Sequence, residues 1–373
     1  MNKMISKIAT HLKPMLYSAN SYPQIGHTLS LAFTSMAQDG HSFFFTACSN
    51  FNILKVIKMM RRALPLIALL SGFIIQGCNT RSKSDQAKPD WCSQIPREAN
   101  AKFTRTEFSN DWFEVYQMEE DIFAIYEPYQ WQEVISYLII GDEFALLFDT
   151  GNGIGNIKHV VDQITTLPIR VLNSHSHYDH VGGNSVFDFI YGMDTEFTRM
   201  RMKGLPHERV AEEVSPAALC NPLPEGIDSA KHQIPPYEID ENVDEGYQIN
   251  LGNRIVDVIH IPGHTPDAIG LWDKKNGLLW TGDTFYQGAI WLFAEETNLV
   301  DYRNSIRRLA EMSDSLNYLL PAHNTPLVDA KLLVELDDAL SKIEKGTVDG
   351  IDSTNGRIHY SFENFTILMN KTR

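Results

Sequence analysis

The chain has 373 residues, 43% of them hydrophobic, with 32 Lys/Arg against 47 Asp/Glu and a formal net charge of −15. So acidic a balance, with no Lys/Arg-rich stripe and no aromatic–basic interleaving, disfavours sequence-independent binding to nucleic acid, whose phosphates it would repel. The length is ample for one sizeable domain.

Residues 1–58 are rich in Ser, Phe and Thr, carry one acidic residue (Asp39) and follow neither a helical nor an alternating period. Residues 59–78 read MMRRALPLIALLSGFIIQGC: two arginines, an apolar stretch of 15 residues (Ala63 to Gly77), then Cys78. A charged start, an apolar core too short to span a bilayer and a small residue before a cleavage point are the layout of a signal peptide. The ending Ile-Gln-Gly-Cys resembles a bacterial lipoprotein signal, whose mature N-terminus is a lipid-modified cysteine, although Gln76 departs from the usual small or apolar residue. The alternative is an ordinary secretory signal or a short N-terminal anchor, and either still exports the chain.

The expected organisation is therefore a doubtful extension over 1–58 with translation beginning at Met59 or Met60, a signal peptide over 59–77, and a polar linker over 78–102. One domain over 103–373 follows, lipid-anchored through Cys78 on the periplasmic side of a bacterial envelope. Residues 1–77 hold seven Lys/Arg and one Asp, which leaves 25 basic and 46 acidic residues and a net charge of −21. Besides Cys48 and Cys78, only Cys92 and Cys220 remain. In an oxidising compartment these two could pair, or stay as thiols.

Strands are expected around 103–109, 112–118 and 122–127, then over VISYLIIG and FALLFDTG, a hairpin-like pair separated by Asp142-Glu143. NIKHVVDQIT has apolar positions at helical spacing and precedes the strand IRVLNS. The strand–helix–strand order returns with NRIVDVIHI, GLLWTGD, the helix YRNSIRRLAEMS and the strand LNYLLPAH. A tail follows: a helix in DAKLLVELDDALSKIEKG and a closing pair of short strands, GRIHYSF and FTILMN. Two mixed sheets packed face to face with outer helices would bury these runs.

The string HSHYDH places four candidate metal ligands, His175, His177, Asp179 and His180, directly after the strand IRVLNS. Two residues apart on an extended segment, His175 and His177 project to one side. Asp179 and His180 lie at the turn, where the chain can aim them at a second point. Imidazole suits zinc, and a carboxylate adds charge neutralisation. Three further candidates share the setting of an apolar strand followed by a tight turn: His264 in PGHT, Asp283 in TGDT and His323 in PAHN. His159, His207, His232 and His359 lack that placement and read as surface or structural. His260, inside a strand, reads as a packed neighbour of the site.

HSHYDH, PGHT, TGDT and PAHN, in that order and after LLFDTG, resemble the motifs of the metallo-β-lactamase superfamily in its two-zinc hydrolase branch, over about residues 110–335. The resemblance implies an αββα sandwich of two mixed sheets with outer helices. It implies a first zinc on His175, His177 and His264 and a second on Asp179, His180 and His323, with Asp283 bridging both. Asp149 in LLFDTG would brace the metal loop without being a ligand. Ligands of this kind accept zinc, iron or manganese alike. Two dications a few Å apart repel, and a bridging carboxylate with a bridging hydroxide offsets the repulsion. Zinc lowers the pKa of bound water from ~15.7 to about 7, giving a nucleophile at neutral pH. Asp179 would both ligate and accept the nucleophile's proton.

An aspartate at 283, where one β-lactamase subclass has a cysteine ligand, typifies thioesterase, lactonase and phosphodiesterase relatives. Tyr286 stands three residues beyond it, where acyl-homoserine lactonases carry a tyrosine that hydrogen-bonds the substrate carbonyl. Phe285, Tyr286, Trp291 and Trp131 could form an apolar pocket for the acyl part of a small-molecule substrate, or could be core. The short, mixed-charge tail disfavours glutathione recognition of the glyoxalase II kind. The expected function is an exported dizinc hydrolase of a carboxylic ester, lactone or thioester. The alternatives are a β-lactam hydrolase, a phosphodiesterase, and a catalytically inactive metal-binding or scaffold protein.

Overall fold

The computed structural model describes residues 88–353 and 356–371. The extension over 1–58, the signal segment 59–77 and Cys78 lie outside the described residues. In chain order the first half holds β1 (Glu114–Glu119), β2 (Ile122–Tyr126), β3 (Ile135–Ile140), β4 (Ala145–Phe148), α1 (Ile157–Ile164), β5 (Ile169–Leu172), α2 (Tyr178–Val181), β6 (Ile190–Gly192), α3 (Glu196–Arg201), α4 (His207–Val210) and β7 (Glu241–Asn242). The second half holds β8 (Gln248–Asn250), β9 (Ile255–His260), β10 (Ile269–Asp273), β11 (Leu278–Gly282), β12 (Ala289–Leu292), α5 (Leu299–Met312), β13 (Tyr318–Pro321), β14 (Val328–Asp329), α6 (Leu332–Glu344), β15 (Ile351–Asp352), β16 (Arg357–Ser361) and β17 (Thr366–Asn370).

The first sheet runs β1-β2-β3-β4-β5-β6-β7, antiparallel as far as β4 and parallel from there. The second runs β14-β13-β11-β10-β9-β8 and is also mixed, with β11 and β13 parallel across the α5 crossover. Alternation in the sequence decides which layer each side chain enters. Ile122, Ala124 and Tyr126 of β2 face the core between the two sheets, together with Ile135, Tyr137 and Ile139 of β3 and Val256 and Val258 of β9. Phe123, Ile125, Leu138 and Leu147 face the other way, onto Ile157, Val160 and Val161 of α1. On the far side Ile259 and Leu279 pack under Tyr302, Ile306 and Leu309 of α5 and Leu333 and Leu336 of α6. Central strands are thus buried on both faces, which is why they read as unbroken apolar runs. The layers are αββα, as the sequence resemblance implied.

α1 starts where Asn156 accepts a bond from His159 N, and α5 starts where Asn298 accepts from Val300 N and Asp301 N. These caps set the two crossover helices directly after the loops that feed the strand ends.

Three expectations need correction. Residues 103–109 form no strand: Arg105 makes a single bridge to Tyr116, and Asn110 Oδ1 accepts from Trp112 N and Phe113 N, so a side-chain-capped turn replaces the ladder. The closing strands β16 and β17 are not an isolated pair, because β12 adds in parallel to β17 and β15 to β16, making a third, four-stranded sheet. Residues 88–102, expected as linker, dock on the domain. Trp91 Nε1 donates to Ala217 O, Asn100 Nδ2 donates to Asn324 O, and Arg97 pairs with Glu133. Cys92 and Cys220 are joined by a disulfide, their Cα atoms 5.6 Å apart. No helix among the described residues is long and apolar enough to cross a membrane.

Candidate metal centre

Four candidate ligands lie just past the C-terminal end of a strand, His175 after β5, His264 after β9, Asp283 after β11 and His323 after β13; His177 follows in the β5 loop, and Asp179 and His180 sit in α2. Two backbone links close the sheets around them, Ile269 N donating to Ser174 O (2.8 Å) and Ile135 N to Ala322 O (2.7 Å). The seven side chains that the sequence singled out converge. His175 Nε2 is 2.8 Å from His177 Nδ1, which is 3.1 Å from His264 Nε2. His180 Nε2 stands 3.4 Å from Asp179 Oδ2, and His323 Nε2 stands 3.8 Å from the same oxygen. Asp283 spans the two groups: Oδ2 is 3.4 Å from His264 Nε2, while Oδ1 is 3.2 Å from His180 Nε2 and 2.9 Å from His323 Nε2. His175–His177–His264, His175–His180–Asp283 and Asp179–His180–His323 are each close enough to hold one ion.

The outer nitrogens show which inner atoms carry lone pairs. Carbonyl and carboxylate oxygens only accept, so a ring nitrogen facing one carries the proton. His264 Nδ1 donates to Trp291 O (3.0 Å), His323 Nδ1 to Gln132 O (2.6 Å), His180 Nδ1 to Asp149 Oδ2 (2.9 Å) and His177 Nε2 to Glu296 Oε1 (2.7 Å). The bare lone pairs of His177 Nδ1 and His264 Nε2 therefore face each other, while His180 Nε2 and His323 Nε2 face carboxylate oxygens, which favour positive charge there. Buried His180 Nε2 and Asp283 Oδ1 have no hydrogen-bond partner. Cations between these atoms turn repulsion into coordination, so the residues present fit a pair of divalent metals.

The titration of the ligands reflects the same crowding. Burial, then the charges of His180 and His177, hold His175 well below the usual histidine range, and burial takes His264 down to about 4. Burial also opposes charge on His180 and His323, but the carboxylates of Asp179 and Asp283 outweigh it and raise both. The carboxyls of Asp179 and Asp283 are held down, their own burial outweighed by His180 and His323.

Asp149, at φ 68°, accepts from Ser174 N (2.7 Å) as well as from His180, so it braces the metal loop by backbone and side chain together. Tyr286 packs its ring 4.8 Å from His323, but its hydroxyl donates to Ala289 O (2.5 Å). Its only proton is therefore committed, and it cannot donate to a substrate carbonyl while that bond holds. Phe285, one of the four aromatics weighed for an acyl pocket, is fully buried against Phe365 in the helix-side core. Trp131 and Trp291 stack on each other, 5.3 Å between centroids, and both remain partly exposed. They come from the two segments whose carbonyls orient His323 and His264. His260 Nε2 lies 3.0 Å from Pro266 O, beside the site and outside the ligand groups.

Sequence reasoning missed Glu296, the orienting carbonyls of Gln132 and Trp291, and Asp267, whose carboxylate takes hydroxyl bonds from Ser176, Thr198 and Thr265. Carbonyls leave no trace in residue identity, and Glu296 sits in an acidic run, AEETN, that has no spacing signal. Asp267 alone had one, three residues beyond the ligand of PGHTPD.

The insertion contributes a buried acid, Glu213, which accepts from Gln130 Nε2 (2.9 Å) and Trp131 Nε1 (2.8 Å) through one oxygen. Burial, against the pull of Trp131 and with the push of Asp179, raises its pKa from 4.5 to about 7. The folded state thus binds this proton more tightly than the unfolded chain. The cost to stability is absent below pH 4.5, grows between 4.5 and 7, and is complete above 7. Glu213→Gln keeps an accepting oxygen and removes the charge. It should stabilise the protein by up to about 3 kcal/mol at pH 8 and by less than about 1 kcal/mol at pH 5, read by urea unfolding at both pH values.

A four-layered sandwich with a largely buried cluster of five histidines and two aspartates beyond its strand ends is the architecture of a metal-dependent hydrolase. Residues 131–339 match the Metallo-beta-lactamase superfamily, and the chain belongs to that superfamily as one of its hydrolases. It is 26% identical over 226 residues to the acyl-coenzyme A thioesterase MBLAC2 of Gallus gallus, covering 57% of this chain and 81% of that protein. It is 29% identical over 181 residues to a hydroxyacylglutathione hydrolase of Aeromonas salmonicida, covering 48% and 56%. Among solved structures, a double mutant of the sec-alkyl sulfatase PisA1 aligns with a TM-score of 0.50 at 15% identity, over 62% of this chain and 42% of that one, a likeness of fold alone.

Proposed function

We propose that this protein is an exported dizinc hydrolase of carboxylic ester-type bonds, with acyl thioesters as its first substrate class. The observation that carries the reading is Asp283, whose two oxygens face the two histidine groups separately. His175, His177 and His264 would hold one ion, and Asp179, His180 and His323 the other. When bound, the ions would lower the pKa of water to about 7 and stabilise negative charge on an acyl oxygen. Asp179, buried beside His180, is the group in the cluster placed to take a proton from water and later deliver it to the leaving group. Six of the seven ligand side chains are buried and His177 is partly exposed, and the Trp131–Trp291 pair offers an apolar surface at the margin.

Two relatives support the bond type, since one is named an acyl-coenzyme A thioesterase and the other a hydroxyacylglutathione hydrolase. The complete ligand set argues against an inactive scaffold. Export is supported by the signal-like segment 59–77 and by the Cys92–Cys220 cross-link, which suits an oxidising compartment. Attachment of lipid at Cys78 rests on the sequence alone.

The test is a hydrolysis panel on the zinc-loaded protein: an acyl-coenzyme A, a lactoyl thioester, an acyl-homoserine lactone, a cephalosporin and an aryl phosphodiester. A thioester should be turned over fastest. A phosphodiester or cephalosporin turned over best would overturn the ranking, and fewer than two ions per chain would overturn the dinuclear site.

A further inference from the structure

The histidines of the cluster differ in what stands behind them. His264 and His323 are backed by neutral carbonyls. His180 is backed by Asp149, a carboxylate that the LLFDTG motif supplies. His177 is also backed by a carboxylate, Glu296, which belongs to none of the metal-site motifs. Glu296 lies in the loop between β12 and α5, stitched to the His264 loop by Thr297 Oγ1 donating to His264 O (3.1 Å) and Asn298 N donating to Gly263 O (2.9 Å). Its Oε1 also takes Arg201 Nη2 at 3.3 Å. The Arg201 guanidinium stacks over Phe197 at 4.7 Å, and the Phe197 ring stands edge-on to His177 at 5.7 Å.

Arg201 and Phe197 are both on α3, in the insertion that follows the metal loop. The same helix sends Thr198 to Asp267, which also gathers Ser176, between His175 and His177, and Thr265, next to His264. One short helix therefore reaches the supports of all three residues in one ligand group. We propose that Glu296, held by Arg201, is the positioning residue that fixes the tautomer and aim of His177, and so sets metal affinity at the His175–His177–His264 position. α3 is the element that holds it there.

The chemistry follows from the acceptor. A carboxylate cannot donate, so His177 Nε2 keeps its proton and Nδ1 keeps the lone pair that faces the other two histidines. The negative charge also makes the imidazole a stronger donor, as Asp149 does for His180. Each of the two ions then has one carboxylate-backed histidine, which spreads compensating charge evenly around a pair of dications. Seen only as an ion pair, Arg201–Glu296 would contribute nothing to metal affinity.

This inference rests on the dinuclear reading, and the experiment separates the two. Zinc-loaded protein is titrated with chelators of graded strength, and the cobalt(II) derivative is followed by its visible spectrum. The unaltered chain should hold two ions. In Glu296→Gln one ion should bind 10- to 100-fold more weakly, with the metal-free protein melting within a few degrees of the parent. Arg201→Ala should weaken the same ion by a smaller factor. Adding Glu296→Gln to His323→Ala should weaken the one ion that remains; adding it to His264→Ala should change nothing. Both ions held by Glu296→Gln as in the parent, or a weakened ion in the His264→Ala background, would overturn the positioning role. Fewer than two ions in the parent would overturn the dinuclear reading, and the inference with it.

Discussion

Replacing Asp283 with alanine is expected to lower turnover by on the order of 10³-fold or more, while the protein keeps its secondary structure. Asp283 lies within 3.5 Å of histidines from both ligand groups, one oxygen toward each. Its removal leaves His323 without the carboxylate that most favours its charge and His180 without one of the carboxylates that do, and leaves two dications without a shared anion between them. Both effects weaken both positions together. Asp283→Asn keeps the shape and loses the charge, so it should fall nearly as far. His177→Ala, in contrast, should lose one ion and retain the other. Metal analysis and far-UV circular dichroism on the same preparations, beside the thioester assay, read all three. Near-parental activity in purified, refolded Asp283→Ala would remove the assignment of that residue as the bridge.

The fold is not at stake in that substitution because the aspartate contributes little to packing. Asp283 follows β11, whose own residues Leu278, Leu279 and Trp280 are buried in the two cores on either side of the sheet. A strand anchored on both faces holds its C-terminal turn in place whatever side chain the turn carries.

This division of labour also explains what could be read from the residues in order. HSHYDH, PGHT, TGDT and PAHN were legible because each puts a ligand immediately after an apolar run, where chemistry and local structure announce each other. β2, β3 and β4 were legible because strands buried on both faces give apolar runs bounded by turn residues. β12 was not: AIWL pairs in parallel with β17, far along the chain, and nothing local distinguishes an aromatic in that sheet from one in a pocket. Phe285 and Trp291 illustrate the point, being six residues apart with one in the core and the other at the margin of the site. The strand expected at 103–109 failed for the opposite reason, since a local asparagine turn outcompeted a plausible ladder. Glu296 was invisible because its partner His177 lies 119 positions away and its own neighbourhood is merely acidic.

Gly263→Ala should be the most damaging single methyl group that can be added near the centre. Gly263 precedes His264 at φ 136°, a conformation that L side chains rarely adopt, and its N donates to Thr265 O while its O accepts from Asn298 N. A Cβ there would come closer than 3 Å to the N and Cα atoms of Tyr302 in the first turn of α5. Those atoms cannot yield: Tyr302 is buried, its N bonds Asn298 O and its hydroxyl bonds Thr284 O (2.7 Å). Backbone strain and overpacking together put the cost at about 3–5 kcal/mol. If the loop moves to relieve it, His264 moves too, and the affinity of the ion it shares with His175 and His177 falls. The control is Gly346→Ala at the end of α6, where φ is 62° and a Cβ meets nothing within 4 Å, so only the strain of about 1 kcal/mol should appear. Denaturant unfolding of the two metal-free variants measures the difference, and metal competition on the loaded proteins shows whether it reaches the site. If the two variants were equally stable and equally metal-tight, the close approach of α5 to the PGHT turn could not be what holds His264 in place.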